Sequence, residues 1–240
     1  MEGLSTVEAC LVGLSGLSWT LVYLITIKKD FADQTYGMPL AALAINFAWE
    51  FRYSLFCYTL NDIDLFIQII NTIWCVFDAV IVYTIFKFGP KAYSEEYQRH
   101  IGRKTFMTSF LGMLAFCFVF IFVANQALAG SVVCGDSSLE CAKFIAYCQN
   151  LMMSALFISM NWRRGSMRGQ SFSIAFFKWL GTFAVMFEYL PKHPLPLMFL
   201  ILGTTTILDI TYMVMTYKQS KAAGLKLWTN FKSYGVPSGE

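Results

Sequence analysis

Charge is scarce in this chain. Only 14% of its 240 residues are Asp, Glu, Lys or Arg, while 57% are hydrophobic. A soluble domain of this length needs a larger polar coat. The seven cysteines are scattered, with no CxxC pair and no His/Cys ligand cluster, so the sequence spells out no metal site. There is no long basic stretch with interleaved aromatics, which argues against a nucleic-acid surface. The six prolines (Pro39, Pro90, Pro191, Pro194, Pro196 and Pro237) keep to the ends of apolar runs and to loops. Alternating ten-residue segments of the kind that build a closed barrel are missing. No basic n-region or cleavage site precedes the first apolar run, so that run reads as a retained span.

What the chain does have is continuous apolar runs, at residues 7–27, 36–58, 63–88, 106–128, 142–162, 172–189 and 195–217. A helix crossing a hydrocarbon core needs roughly 20 such residues. The expected fold class is therefore all-α, a seven-transmembrane helix bundle. Seven spans use nearly the whole length, so residues 1–240 read as a single transmembrane domain with a tail from 218 to 240 and no separate globular domain. The interruptions KKDFADQT, NDID, FGPKAYSEEYQRHIGRK, AGSVVCGDSSLE, RRGSMRGQS and PKHPLP carry the breakers and most of the charge. All are short, which suits neighbouring antiparallel helices.

Charge asymmetry orients the spans. The odd-numbered loops and the tail hold Lys28, Lys29, Lys87, Lys91, Arg99, Arg103, Lys104, Arg163, Arg164, Arg168, Lys218, Lys221, Lys226 and Lys232. These are 14 of the 18 basic residues, and only Arg52, Lys143, Lys178 and Lys192 lie elsewhere. The expected topology puts the N-terminus on the lumenal or exterior side and the tail in the cytosol, in the endoplasmic reticulum if the source is eukaryotic. Cys134 and Cys141 share the fourth loop, on the expected lumenal side, where a disulfide can persist. Cys10, Cys57, Cys75, Cys117 and Cys148 read as small apolar packing residues. The tail segment AAGLKLWTNFKSYG mixes Leu225, Leu227, Trp228 and Phe231 with the lysines Lys226 and Lys232, as an interfacial amphipathic segment does. A solvated tail is the other reading of it.

An ionisable group inside a span costs at least a few kcal/mol on insertion scales (~2.5–3.5), so each one is a functional candidate. The second span carries Asn46, Glu50 and Tyr53 at offsets of four and three, on one helical face. The third carries Asn71, Trp74 and Asp78 in the same manner, and the seventh carries Thr205, Asp209 and Tyr212. Each stripe centres on one carboxylate with no Lys or Arg on its own face, and the three are expected to be unpaired with bases. Glu188 lies near the end of the sixth span. Burial without a cation favours the protonated form of a carboxyl group, which makes it a general acid. The plainer alternative is that these groups hydrogen-bond between helices and specify packing. Aromatic residues make up 17% of the chain. Several of them, including Trp49, Phe51, Phe77, Tyr83 and Trp179, flank the stripes. A subset facing a cavity would stabilise a cation through its ring quadrupoles.

The second-span block YGMPLAALAINFAWEFRY, with Tyr36, Gly37, Met38, Asn46, Trp49 and Glu50, resembles the signature of a known family. That family is the small integral-membrane terpene cyclases of fungal meroterpenoid and indole-diterpene biosynthesis, which has bacterial relatives. Asp209 in TILDITY matches the family's last-span aspartate, and Trp74 with Asp78 fits the third span. The resemblance implies a cyclase that uses no metal and no other cofactor. It would protonate an epoxide or terminal alkene on the prenyl chain of a meroterpenoid or indole-terpenoid precursor. A carbocation cascade would follow, ended by deprotonation. It implies that Glu50 and Asp209 are the catalytic acid pair, with Asn46, Trp49, Tyr53, Trp74, Asp78 and Tyr212 binding or positioning the substrate. The implied partners are a farnesyl or geranylgeranyl small molecule and membrane lipid. The chain has neither a DDxxD box nor a DxDD motif, in keeping with the family and against ionisation of a diphosphate.

A small seven-span proton-coupled carrier is the alternative, since midplane carboxylates serve proton coupling in such proteins. The absence of Gly- or Pro-interrupted spans in matching positions weighs against it. A receptor is weakened by short loops, and a retinal protein by the lack of a lysine within the last span. The charge bias makes a direct prediction. A glycosylation site added at the N-terminus is modified, and a tag after residue 240 is cleaved by protease added outside sealed microsomes. Both ends on one side would refute the topology.

Overall fold

Serine and glutamate at the start of the first apolar run cap each other. The Ser5 backbone N–H donates to Glu8 Oε2 at 2.7 Å, and the Glu8 N–H donates to Ser5 Oγ at 3.3 Å. This reciprocal box satisfies two of the N–H groups a helix start leaves open. Helix α1 (Thr6–Asp33) follows, and ends where Gln34 turns into the left-handed region at φ 50°. The structure is a computed structural model, and it describes residues 5–57, 63–92 and 95–228.

Among these the chain forms α2 (Leu40–Arg52), α3 (Leu65–Phe88), α4 (Glu95–Leu128), α5 (Ser138–Arg164), α6 (Phe172–Tyr189) and α7 (Pro196–Ala222), with a 3-10 turn at Gly89–Ala92. No strand occurs among the described residues. The all-α expectation and the count of seven helices both hold. Five helices are long and apolar enough to cross a membrane: α1, α3, Gly102–Leu128 within α4, α5 and α7. The other two are short. Helix α2 has 13 residues, a rise of about 20 Å. Helix α6 has 18, with Lys178 and Glu188 among them.

Two boundaries differ from the expected runs, each for a local reason. Residues 36–39 do not join α2, because Pro39 stands at its N-cap and the preceding residues form a packed turn. The helix stops at Tyr53, whose φ of −106° and ψ of 13° leave the helical region. Its expected end at Tyr58 lies outside the described residues. The third interruption, expected to be loop, is partly helical, and the kink within α4 falls at Gly102, whose φ of 71° suits glycine.

The chain packs as two compact units, Met1–Gly37 with Leu151–Glu240, and Met38–Asn150. In the first, α1 lies along α6, and α6 along α7. The end of α1 is tied to the 165–171 loop. Asp33 is paired with Lys29 at 2.9 Å, with both side chains fully buried, and its carboxylate accepts from Gly169 N–H at 2.6 Å. Arg168 donates to the carbonyls of Asp33 and Gln34. Arg164 donates to the Arg168 carbonyl and lies 4.5 Å from the Tyr36 ring centroid. Beyond α7, Trp228 packs edge-on against Phe172 and Phe176, and the Leu227 carbonyl accepts from Ser173 Oγ. The expected amphipathic tail thus docks its first aromatic on α6, while Phe231 and Lys232 lie outside the described residues.

In the second unit α2 packs on α3 and α4. A disulfide joins Cys134 to Cys141, closing the loop between α4 and α5.

The turn at Tyr36, Gly37 and Met38 has no room for a side chain at its centre. A Cβ on Gly37 would fall 2.5 Å from Asp30 Oδ1 and 2.6 Å from the Gly169 carbonyl. The backbone oxygen cannot yield cheaply. Gly37→Ala is expected to cost about 1–3 kcal/mol, the usual range for overpacking. A lowered thermal midpoint in detergent measures it, and an unchanged midpoint refutes the close approach.

Candidate active site

The α2 stripe meets the α3 stripe inside the second unit. Asn46 Nδ2 donates to Asp78 Oδ2 at 2.7 Å, and Gln149 Nε2 of α5 donates to Asn46 Oδ1 at 3.3 Å. Asp78 is fully buried, and its other oxygen, Oδ1, has no hydrogen-bond partner among the described residues. Glu50, one turn along α2 from Asn46, is 2% exposed. Cys75 of α3 lies close enough to feel the charge of both Glu50 and Asp78. Two carboxyl groups from neighbouring helices therefore share one apolar region.

Aromatic residues frame it. Trp49 donates its indole N–H to the Ala142 carbonyl of α5 at 3.0 Å, and its ring lies 5.1 Å from that of Tyr53. Tyr53 is fully buried. Its hydroxyl accepts from Asn125 Nδ2 of α4 at 2.8 Å, and its carbonyl accepts from Asn71 Nδ2 of α3 at 3.2 Å. Arg52 donates to Asn125 Oδ1 at 3.2 Å and sits 5.0 Å from the Phe122 ring centroid. Trp74, half-buried, is one helical turn before Asp78. The structure thus joins Asn46 to Asp78 and brings the rings of Trp49 and Tyr53 together.

The α7 stripe is different. Asp209, 1% exposed in the first unit, is ion-paired through Oδ1 to Lys178 Nζ of α6 at 2.6 Å. Lys178 is fully buried and also donates to Ser154 Oγ of α5 at 2.6 Å. The expectation that the span carboxylates are unpaired is corrected at this position: the cation comes from the neighbouring helix, not from the same face. Asp209 Oδ2 has no hydrogen-bond partner among the described residues. Tyr212 is buried a turn further on, donating to Gln170 Oε1 at 3.2 Å with its ring 5.2 Å from Phe157. Asn161 joins that group, bonding Gln170 and Gln219. Thr205 bonds back to the Ile201 carbonyl of its own helix.

Lys178, Ser154, Asn125, Gln149 and Gln170 are the residues that stripe reading missed. Lys178 left one signal, as a basic residue outside the charge bias in the middle of an apolar run. A lysine at that depth needs a carboxylate as much as a carboxylate needs a cation. Among the described residues no group of three or more His, Cys, Asp or Glu converges as a metal site would.

An all-helical protein with five membrane-length helices and buried carboxyl groups on α2, α3 and α7 is a membrane protein with polar chemistry inside its spans. Residues 2–222 match the model of the Pyr4-like transmembrane terpene cyclases, and the chain belongs to that family. It is similar to the Pyr4-family terpene cyclase mfmH of Annulohypoxylon moriforme, 28% identical over 73% of this chain and 67% of that protein. It is also similar to the terpene cyclase ascF of Acremonium egyptiacum, 27% identical over 84% of this chain and 78% of that protein. With the terpene cyclase pyr4 of Aspergillus fumigatus the identity is 29%, over 70% of this chain and 64% of that protein. No solved structure matches the chain. The chain is thus an enzyme, a terpene cyclase acting on a prenyl-derived small molecule, and the carrier and receptor alternatives fall away.

Proposed function

We propose that the enzyme closes rings on the prenyl chain of a meroterpenoid or indole-terpenoid precursor by protonating an epoxide or terminal alkene, without a metal. Glu50 and Asp209 are the two catalytic carboxyl groups, and Asn46, Trp49, Tyr53, Trp74, Asp78 and Tyr212 position the chain. The observation that carries this reading is Glu50, a carboxyl group 2% exposed on a helix that crosses apolar surroundings. It can deliver a proton where water is too scarce to quench the cation that forms. The rings of Trp49 and Tyr53 supply π faces for that cation. A farnesyl or geranylgeranyl tail partitions into the bilayer, so a site within apolar helices reaches it without extracting it. The lack of both aspartate-rich motifs supports a route that does not ionise a diphosphate.

All seven helices cross the membrane in this proposal, α2 and α6 as its short members, with the N-terminus lumenal and the C-terminus cytosolic. Two features support that orientation: the bias of basic residues to the odd loops, and the disulfide between Cys134 and Cys141 in an even one.

The reading is tested in a host that supplies farnesylated and geranylgeranylated aromatic precursors, with and without a terminal epoxide. Wild-type chain yields isomers of unchanged mass. Turnover persists after exhaustive chelation, and loss with EDTA that magnesium restores would return the mechanism to diphosphate ionisation. Glu50→Gln and Asp209→Asn each lower formation of the wild-type product by at least about a hundredfold, the lower end of what positioned acid–base groups contribute. Asp78→Asn, the positioning group, gives a smaller loss. Near wild-type rates from correctly inserted Glu50→Gln and Asp209→Asn variants would remove both from catalysis.

A further inference from the structure

Lys178 is a group that the proposed cyclisation does not yet use. It is a fully buried lysine in the middle of α6. Three neighbours surround its ammonium: Asp209 Oδ1 at 2.6 Å, Ser154 Oγ at 2.6 Å and the Trp19 ring, whose centroid is 5.9 Å away. Trp19 comes this near because α6 carries Gly181 one turn further on, where a Cβ would lie 2.8 Å from the indole Cδ1. A carboxylate, a hydroxyl oxygen and an aromatic face are each a ligand for an ammonium group. Asp209 binds the lysine through one oxygen and leaves Oδ2 without a hydrogen bond among the described residues.

We infer that Lys178 is a positioning residue that holds Asp209 as a carboxylate, so that Asp209 ends the cascade as the proton acceptor and does not start it as the acid. This rests on the reading of Asp209 as catalytic and divides the roles within the pair. An ionised carboxylate has no proton to give. It has a lone pair on Oδ2, which can take a proton from the carbon next to the last cationic centre. The C–H bond breaks, its electron pair becomes the new C=C bond, and the O–H bond forms on Asp209. The proton that opened the cascade comes from Glu50. Between turnovers Asp209 loses its proton to solvent and Glu50 regains one, so the product is an isomer of the substrate.

Two measurements test this, and the first needs no turnover. In the infrared spectrum of purified protein, Lys178→Met creates one protonated-carboxyl band that is absent from the wild type and from the double variant Lys178→Met/Asp209→Asn. A band already present in the wild type and removed by Asp209→Asn would show Asp209 protonated beside its lysine, and would overturn the inference whatever the enzyme's substrate. The double variant replaces both charges, so it folds even where the single change leaves a carboxyl group stranded.

The second measurement uses membranes carrying the full chain and whichever farnesylated phenol or terminal epoxide the wild type converts. Glu50→Gln stops consumption of the substrate. Asp209→Asn and Lys178→Met still consume it, but replace the single product with alkene isomers and with species heavier by one water. Lys178→Arg keeps the cation and recovers the single product relative to Lys178→Met. Substrate left untouched by correctly inserted Asp209→Asn, with no diverted products, would make Asp209 the initiating acid and refute the assignment. Consumption at the wild-type rate by Glu50→Gln would instead remove Glu50 as the proton donor, a failure of the cyclisation reading and not of the infrared result.

Discussion

A hydrocarbon layer offers no solvent to a charge, so every polar side chain within it must be answered by another part of the protein. In this chain that constraint acts most strongly at Lys178 and Asp209, both buried and 2.6 Å apart. Removing one partner of such a pair costs ~3–5 kcal/mol because it strands the other. Hydrogen bonds between membrane helices average only about 0.6 kcal/mol each. The ion pair therefore governs how α6 meets α7. Weaker contacts such as Asn46 to Asp78, Trp49 to the Ala142 carbonyl and Arg52 to Asn125 select among packings of similar energy.

The same scarcity of water serves the chemistry. A carbocation survives only where nothing nucleophilic reaches it before the next ring closes. Several of the buried polar groups are committed to one another. Asn125 is engaged with both Arg52 and the Tyr53 hydroxyl. Gln170 accepts from Tyr212 and Asn161. A hydroxyl or amide already holding its hydrogen bonds is a poor quencher.

Much of this was legible in the sequence. The seven apolar runs became seven helices, and offsets of three and four placed Asn46, Glu50, Asn71 and Asp78 on faces that do meet. The YGM…N…WE block led to the family that residues 2–222 match. What was not legible is pairing between distant helices. Lys178 and Asp209 are 31 residues apart, and no periodicity along either helix connects them, so Asp209 looked unpaired when read on its own face. The short α2 was hidden for a related reason. Hydropathy counts Tyr36, Met38 and Pro39 as span, whereas the contacts of Gly37 with the end of α1 and the 165–171 loop use them as a turn.

Stability alone does not account for the buried pair. Replacing a buried ion pair with well-packed apolar residues is often neutral or even stabilising, by about 1–4 kcal/mol. Two helices that needed only to adhere would do as well with leucine and phenylalanine, of which α6 and α7 already hold many. The pair does something apolar contact cannot: it fixes one carboxyl group and one ammonium at a single point between α6 and α7. Ser154 and Trp19 also face the lysine, the first through a hydrogen bond and the second through its ring. The lysine binds one oxygen of the aspartate, and the other has no hydrogen-bond partner among the described residues.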